Sequence, residues 1–182
     1  MTVDRPGNHC LPPRCHPRDT VTACIGLGAN LGDARAALRS AVASLSALPE
    51  TRVEAVSSLY ASAPVDARGP DFLNAVVRLR TGLTAPVLLD ALQAVETAAG
   101  RERPYRNAPR TLDLDLLFYG DARIASPRLE VPHPRALERA FVLLPLADVA
   151  PHRVSAEDLR RVADQRVQAV EGPDWSGRTA RA

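Results

Sequence analysis

The sequence predicts an α+β domain with an antiparallel-rich sheet, helices on one face of that sheet and additions at the C-terminus. Three observations point to this class. At 182 residues and 46% hydrophobic composition, the chain is long enough for one domain with a continuous core. Short alternating segments typical of strands are interleaved with two longer segments whose apolar residues recur at helical spacing. One of the strands carries two acidic residues, Asp113 and Asp115, between leucines.

The first half of the chain predicts a strand, a helix and then two more strands. The first strand begins at Thr20 and runs into the glycine-rich segment Gly26 to Asp33, where we expect a tight turn that needs glycine. The glycine spacing, G-x-G-x-x-x-G, is one residue longer than the dinucleotide-binding fingerprint, so we do not expect a Rossmann site. A helix follows at Ala34 to Leu48, and the segments Arg52 to Tyr60 and Phe72 to Arg80 alternate like the strands of a long antiparallel hairpin.

The second half predicts a second helix, the acidic strand and C-terminal helices. Thr84 and Gly100 bound the second helix, which has a proline in its first turn, where proline is tolerated. After the acidic strand we expect a short helix near Arg135 to Ala140 and an amphipathic helix from Ala156 to Val170. The order strand, helix, strand, strand, helix, strand is the split β-α-β arrangement of the ferredoxin-like superfold. Many functions use that arrangement, so it does not identify one.

Both ends of the chain are expected to lie outside the folded domain. We predict a disordered extension over residues 1–19, a domain over residues 20–171 and a flexible tail over residues 172–182. The extension contains four potential zinc ligands in a spacing that matches none of the usual zinc patterns, so we favour a flexible segment there over a metal site. They are His9, Cys10, Cys15 and His16. With no apolar run near the roughly 20 residues of a membrane span and no signal-peptide core, we expect a cytoplasmic protein.

The basic residues exclude several common ways of handling ATP. All 23 basic residues are arginine, and the chain contains no lysine. A P-loop, the phosphate-binding lysine of a protein kinase and a Schiff-base lysine are therefore impossible. The net charge is only +2, which argues against a chain built mainly to bind a nucleic-acid backbone.

The segment Arg101 to Tyr119 joins an arginine-rich loop to the acidic strand. Four arginines occur within its first ten residues. Residues two apart on a strand point to the same face, so Asp113 and Asp115 project together while the neighbouring leucines project into the core. Carboxylates bind hard divalent cations through oxygen, and guanidinium groups bind phosphate oxygens in pairs. This combination predicts a site for a polyphosphate that carries a divalent metal ion.

Five segments of the chain resemble the 6-hydroxymethyl-7,8-dihydropterin pyrophosphokinases of folate biosynthesis. The most specific is PRTLDLD, within GRERPYRNAPRTLDLDLLFYGD at 100–121, which is followed by VPHPR within LEVPHPRALERAFVLLPL at 129–146. The others, in the family's order, are GLGANLGD at 26–33, SSLYASAPV at 57–65 and GPDFLNAVV at 69–77. The resemblance implies transfer of pyrophosphate from ATP to the pterin hydroxymethyl group, with release of AMP.

The same resemblance implies roles for individual residues. The implied catalytic residues are Arg101, Arg110, Asp113 and Asp115, and the two aspartates would bind two Mg²⁺ ions that bridge the triphosphate. Nucleotide contacts are implied for Gln93, Glu96, Arg103, Arg106, Arg110, Leu116, Arg128, His133 and Arg139. Pterin contacts are implied for Ser62, Ala63, Pro64, Val65, Phe72, Asn74, Asp113 and Phe141, with the two phenylalanines on either side of the ring. The implied partners are ATP and the pterin, with no nucleic acid and no membrane, and the expected state is a monomer.

Some alternatives remain open at this level. The general base for the hydroxyl group could be Asp115 or a water molecule on magnesium. Asn107 and Ala108 stand where many family members have Trp-Gly, so the stacking role of that tryptophan is absent or lies elsewhere. A ferredoxin-like RNA-binding module would use the arginine loop, but it would place aromatic residues, not aspartates, on the central strands. A metal-dependent nucleotidyl- or glycosyltransferase with a D-x-D site would need a nucleotide-sugar pocket that the sequence does not indicate.

Overall fold

A six-stranded sheet organises the part of the chain that the computed structural model describes, which is residues 19–64, 69–100 and 111–177. In chain order the first elements are β1 (Val21–Ala29), α1 (Ala34–Ser46), β2 (Thr51–Val56), β3 (Leu59–Ser62), β4 (Phe72–Thr81), α2 (Ala85–Ala98) and β5 (Asp113–Tyr119). They are followed by β6 (Ile124–Ala125), β7 (Glu130–Val131), α3 (Ala140–Val149), a 3-10 turn (Pro151–Arg153), α4 (Ala156–Arg161), β8 (Val167–Glu171) and a second 3-10 turn (Pro173–Ser176).

The order of strands across the sheet is β5-β1-β4-β3-β8, and β2 also pairs with β4. The pairs are antiparallel, and helices connect β1 to β2 and β4 to β5. This arrangement confirms the predicted α+β, ferredoxin-like fold. The expected hairpin is present, but its first strand is divided into β2 and β3. The strand is interrupted at Ser57, where the buried hydroxyl accepts a hydrogen bond from the Val76 N–H at 2.9 Å.

The two faces of the sheet are covered by different helices. On one face, the buried side chains Ile25 and Leu27 of β1 pack with Leu38 of α1 and Leu88 of α2 in the main core. Leu112, Leu114 and Leu116 join the same core, as their alternation in the sequence predicts. On the other face a smaller core includes Val76 and Leu117 of the sheet and Leu146 of α3. The predicted helices therefore share one face, and a C-terminal addition covers part of the other.

The glycine-rich segment differs from the predicted turn. Gly26 and Gly28 lie inside β1, which continues to Ala29. Only Gly32 has the positive φ, +59°, that favours glycine in a tight turn. The helix then begins with Asp33, whose side chain accepts a hydrogen bond from the Ala36 N–H at 2.9 Å. Because β1 pairs antiparallel with both neighbours, the segment has no resemblance to a dinucleotide-binding βαβ unit.

The predictions for the C-terminal helices are wrong in two places. No helix occupies 135–139, because residues 134–138 form turns and α3 begins at Ala140. The helix expected from Ala156 to Val170 ends at Arg161, and the following residues form β8, which pairs with β3. The segment from Gly172 contains a 3-10 turn in which Trp175 is buried and donates a hydrogen bond to the Ser57 carbonyl at 2.8 Å. Residues 172–177 are the described part of the segment 172–182 for which the sequence predicted a flexible tail.

The described ranges leave out several regions for which the sequence made predictions. Residues 1–18, with their cysteine and histidine cluster, residues 65–68, residues 101–110 and residues 178–182 lie outside them. Within the three ranges, no helix is long and apolar enough to cross a membrane.

Candidate active site

A row of residues across the sheet brings the predicted metal and pterin residues together. Asp113 of β5 lies opposite Gly28 of β1, and Gly28 lies opposite Asn74 of β4. Residues directly opposite in antiparallel strands project from the same face, so Asp113 and Asn74 stand on either side of a residue without a side chain. Two strand spacings of about 4.8 Å put their backbones roughly 10 Å apart. Among the described residues, a Cβ placed on Gly28 would meet only the Asn74 Oδ1, at 3.6 Å. These residues leave the space above Gly28 open, and we call this space the open floor of the site.

Both acidic residues face glycines of β1. Asp113 lies opposite Gly28, and Asp115 lies opposite Gly26. Both carboxylates are partly exposed, while Leu114 between them is buried in the core. The strand that carries them is at the edge of the sheet, with β1 as its neighbour. The two glycines have different surroundings: a Cβ on Gly26 would touch the Leu117 side chain at 3.4 Å, whereas Gly28 leaves space beside Asp113 for an ion and its other ligands.

The donor set fits magnesium that arrives with a substrate. In the described ranges no three His, Cys, Asp or Glu side chains gather into a metal-binding group, so Asp113 and Asp115 form a pair rather than a cage. Mg²⁺ prefers oxygen ligands, keeps several waters and is usually bound through one or two carboxylates together with substrate phosphates. Two carboxylates on one exposed edge suit that mode of binding.

Hydrogen bonds fix the orientation of the Asn74 side chain. The amide is buried, with 5% of the residue exposed, and its Nδ2 donates to the Ser62 Oγ at 2.9 Å. Longer contacts run from Nδ2 to the carbonyl oxygens of Phe72 and Tyr60. Because these acceptors identify the nitrogen, the Oδ1 is the atom that faces Gly28 and the open floor. The neighbouring predicted residues Ala63 and Pro64 follow β3 and are exposed and partly exposed, respectively.

The start of α3 carries the second predicted aromatic residue. Phe141 and Phe72 are both partly exposed, at the beginnings of α3 and β4. The Arg139 guanidinium carbon lies 5.3 Å from the centroid of the Phe141 ring, within the range of a cation–π contact. The N-terminus of α3 is held by Gln165, whose Oε1 accepts the Ala140 N–H at 2.8 Å.

The geometry of His133 makes one of its ring nitrogens a hydrogen-bond donor. Its Nδ1 accepts the Arg135 N–H at 3.2 Å, so the neutral ring carries its proton on Nε2. The His133 backbone N–H donates to the Leu117 carbonyl at 2.9 Å. The histidine is therefore attached directly to the strand that bears the two aspartates.

The predicted nucleotide residues on α2 and beyond have different environments. Gln93 is exposed, whereas Glu96 is buried with 3% exposed, and its Oε1 accepts the Leu114 N–H at 2.7 Å. Glu96 thus bonds to the main chain between the two aspartates. The exposed Arg128 pairs with Asp90 of α2 at 2.7 Å. Leu116 is buried in the core, so its main chain, not its side chain, is what a nucleotide could reach.

A pair of contacts joins β3 to α3 near the row. The Tyr60 hydroxyl donates to the Asp148 carboxylate at 3.1 Å, and the Ser58 N–H donates to the same carboxylate at 3.0 Å. Burial, followed by the negative charge of Asp148 and the hydrogen bond to it, raises the pKa of Tyr60 to about 12. Tyr60 lies opposite Asn74, so this link anchors the strand that supports the asparagine.

Arg101, Arg103, Arg106, Arg110 and Val65 lie outside the described residues. Conversely, sequence reasoning did not identify Gln165 or Gly28 as parts of the site. Gln165 is a polar residue just before an alternating segment, and no local pattern distinguishes it from other polar residues. Gly28 was missed because the sequence analysis assigned it to a turn.

Comparisons with known proteins identify the family of this chain. The chain matches the family model of 7,8-dihydro-6-hydroxymethylpterin-pyrophosphokinase (HPPK) over residues 24–151. It is 50% identical over 128 residues to the Pseudomonas aeruginosa 2-amino-4-hydroxy-6-hydroxymethyldihydropteridine pyrophosphokinase, which covers 70% of this chain and 79% of that protein. It is 40% identical over 164 residues to the Synechocystis enzyme of the same name, over 90% of this chain and 80% of that protein.

Solved structures show the same fold. Wild-type Plasmodium falciparum HPPK-DHPS superposes with a TM-score of 0.54 at 15% identity, over 71% of this chain and 41% of that longer chain. The resemblance found in the sequence motifs is therefore confirmed by the family match and by the similarity to these relatives. Together with the paired aspartates and the oriented asparagine on one face of a ferredoxin-like sheet, these matches show that the chain belongs to the 7,8-dihydro-6-hydroxymethylpterin-pyrophosphokinase family.

Proposed function

We propose that this chain carries out the reaction of its family, the transfer of pyrophosphate from ATP to the hydroxymethyl group of 6-hydroxymethyl-7,8-dihydropterin in folate biosynthesis. The hydroxyl oxygen attacks the β-phosphorus of ATP, the bond between that phosphorus and the oxygen leading to the α-phosphate breaks, and AMP leaves. The hydroxyl proton is released, and the product is the pterin diphosphate. The observation that carries the proposal is the row Asp113, Gly28 and Asn74, which sets a carboxylate and an amide on either side of an open floor.

The pterin would lie on the floor above Gly28. Asn74 presents its Oδ1 toward that space, and the Ser62 hydroxyl holds the other end of the amide. A pterin edge carries adjacent hydrogen-bond donors and acceptors, and an oriented amide matches such an edge. Phe72 and Phe141 would contact the ring faces, where flat aromatic surfaces stack favourably. Main-chain groups of residues 62–65 would complete the contacts.

The triphosphate would lie along the edge of β5. Asp113 and Asp115 would hold two Mg²⁺ ions, which when bound neutralise the charge of the triphosphate. His133 would supply an N–H donor at Nε2 for a phosphate or ribose oxygen, and Arg139, which lies over the Phe141 ring, would supply a cation. Catalysis then depends on positioning and electrostatics, as is usual for phosphoryl transfer.

Further contacts to ATP are proposed from the family pattern. They come from Arg101, Arg103, Arg106 and Arg110 of the arginine loop and from Gln93 and Arg128 at the surface of the domain. Among these, Arg101 and Arg110 would stabilise charge in the transition state. The monomeric state and the cytoplasmic location remain predictions from the sequence.

The proposal is tested by the products of the reaction. Purified protein is mixed with Mg-ATP and the pterin, and the nucleotides formed are separated and quantified. We expect AMP and the pterin diphosphate in equal amounts. Formation of ADP in place of AMP, or of no nucleotide product, would show that the proposal is wrong.

The metal role is tested with Asp113→Asn and a matched change, Asp164→Asn, at an exposed turn after α4. Loss of a metal ligand costs several kcal/mol of transition-state stabilisation; at about 3 kcal/mol this lowers kcat/KM roughly 100-fold. We expect that loss for Asp113→Asn, with an unchanged melting temperature, and near-normal kcat/KM for Asp164→Asn. Equal activity of the two variants would exclude Asp113 as a metal ligand.

A further inference from the structure

The Gln165 side chain makes two hydrogen bonds to the main chain at the start of α3. Its Oε1 accepts the Ala140 N–H at 2.8 Å, and its Nε2 donates to the Glu138 carbonyl at 2.9 Å. The residue before the helix, Arg139, makes no capping hydrogen bond with its own side chain. A helix leaves its first N–H groups without intrahelical partners, so Gln165 supplies a cap from a distant part of the chain.

The two hydrogen bonds bracket residues that we assign to the substrates. Glu138 and Ala140 are the neighbours of Arg139 on either side, and Phe141 follows directly. The Arg139 guanidinium and the Phe141 ring are in contact at 5.3 Å. Holding the main chain at 138 and 140 therefore restricts the directions in which both side chains leave it.

The segment that contains Gln165 also reaches the opposite side of the pterin site. Two residues later, Val167 begins β8 and pairs with Ser62 of β3. Ser62 in turn holds the amide of Asn74. Residues 165–167 thus contact the start of α3, which carries Phe141, and the end of β3, which supports Asn74. This segment follows the stretch matched by the family model, which ends at residue 151.

We propose that Gln165 is a positioning residue for the pterin. Its side-chain amide fixes the first turn of α3 and so sets Phe141 and Arg139 relative to Asn74. The inference rests on the proposed function, because it assigns the pterin to the space between these residues. It adds a determinant that lies on the C-terminal additions and not on the split β-α-β core.

The test compares Gln165→Ala with Gln165→Glu and with a matched control, Gln168→Ala, at an exposed position of β8. Losing one or two hydrogen bonds from a positioned segment corresponds to a change of roughly 5- to 30-fold. We expect the KM for the pterin to rise by about that factor in Gln165→Ala, while kcat changes less than about threefold, because the groups that we assign to the chemical step belong to β5 and to the arginine loop. Gln165→Glu keeps the acceptor for Ala140 and should recover most of the lost affinity. Gln168→Ala should behave like the wild type.

Amide exchange of Ala140 gives a second readout that does not depend on catalysis. Exchange should be faster in Gln165→Ala and near wild-type in Gln165→Glu, which can still accept that N–H. Wild-type protein that makes no AMP would identify a failure of the proposed function. Normal AMP formation with the same pterin KM in Gln165→Ala and Gln168→Ala would instead overturn the positioning role, as would equal losses in Gln165→Ala and Gln165→Glu.

Discussion

Replacing Gly28 with alanine should separate the stability of the fold from the activity of the site. The glycine lies within β1 and needs no positive φ, since its backbone is that of an ordinary strand. A Cβ there would meet its nearest neighbour, the Asn74 Oδ1, at 3.6 Å, which is normal van der Waals contact. The folded chain should therefore accept the methyl group. The same methyl group would stand on the floor between Asn74 and Asp113, where we place the pterin.

The expected changes in stability and in activity have opposite signs. Glycine in the middle of a strand is less stable than alanine by about 0.5–1 kcal/mol, so Gly28→Ala should increase the free energy of unfolding by that amount. For a chain of this size, each kcal/mol changes Tm by about 2–4 °C, which gives an expected rise of about 1–4 °C. A displacement of the reacting groups by about 1 Å can cost roughly 100-fold in rate. We therefore expect kcat/KM for the pterin to fall by about that factor while Tm rises.

Calorimetry and steady-state kinetics on the same preparations provide the measurement. Gly172→Ala is the matched control, because its Cβ would have no neighbour within 4 Å in the described part of the chain and its φ is −67°. The control should keep wild-type kcat/KM. If Gly28→Ala were stable and retained kcat/KM within about threefold, the pterin could not lie over this floor. If Gly28→Ala were instead destabilised, the space above Gly28 would not be open.

Two further predictions concern groups that support the site. Glu96→Gln should keep the hydrogen bond to the Leu114 N–H and most of the free energy of unfolding. Glu96→Ala leaves that N–H without its partner and should lower the free energy of unfolding, measured in urea, by about 1–3 kcal/mol. Equal losses in the two variants would show that the charge, not the hydrogen bond, matters. The pKa of Tyr60 in the folded chain, about 12, exceeds its ordinary value of 10.0, so between these values the folded state holds the proton more tightly. The stabilisation from Tyr60 is thus fully present below pH 10 and declines as pH rises toward 12, and Tyr60→Phe should show a smaller alkaline loss of Tm than the wild type. An identical alkaline profile in the two proteins would contradict this assignment.

The acidic strand was predictable because its alternation of leucines and aspartates is a local pattern. Period-two alternation puts Leu112, Leu114 and Leu116 in the core and both aspartates on the opposite face, and no distant contact is needed to infer it. The glycines of β1 were misinterpreted because glycine has two uses, freedom of φ and absence of a side chain. Gly32 uses the first and Gly28 the second, and only the neighbouring strands reveal which applies.

The C-terminal third was predicted poorly because distant contacts decide its structure. Helix α3 contains Pro145, which locally argues against a helix, but Leu143, Pro145 and Leu146 are buried against the domain. The strand β8 forms because it pairs with β3, and no local pattern around Val167 predicts that pairing. Gln165 belongs to the same class, since its two partners lie 25 and 27 residues earlier in the chain.

The registration of β5 against β1 links the assembly of the metal site to the folding of the core. Shifting a strand by one residue sends every side chain to the other face. A slipped β5 would expose Leu114 to water and bury Asp113 and Asp115 among the helices, where unpaired carboxylates are very costly. The register that buries the three leucines therefore also determines the positions of the two carboxylates. The paired aspartates need no metal to find their places, and the apoprotein should already present them in the arrangement that receives the nucleotide.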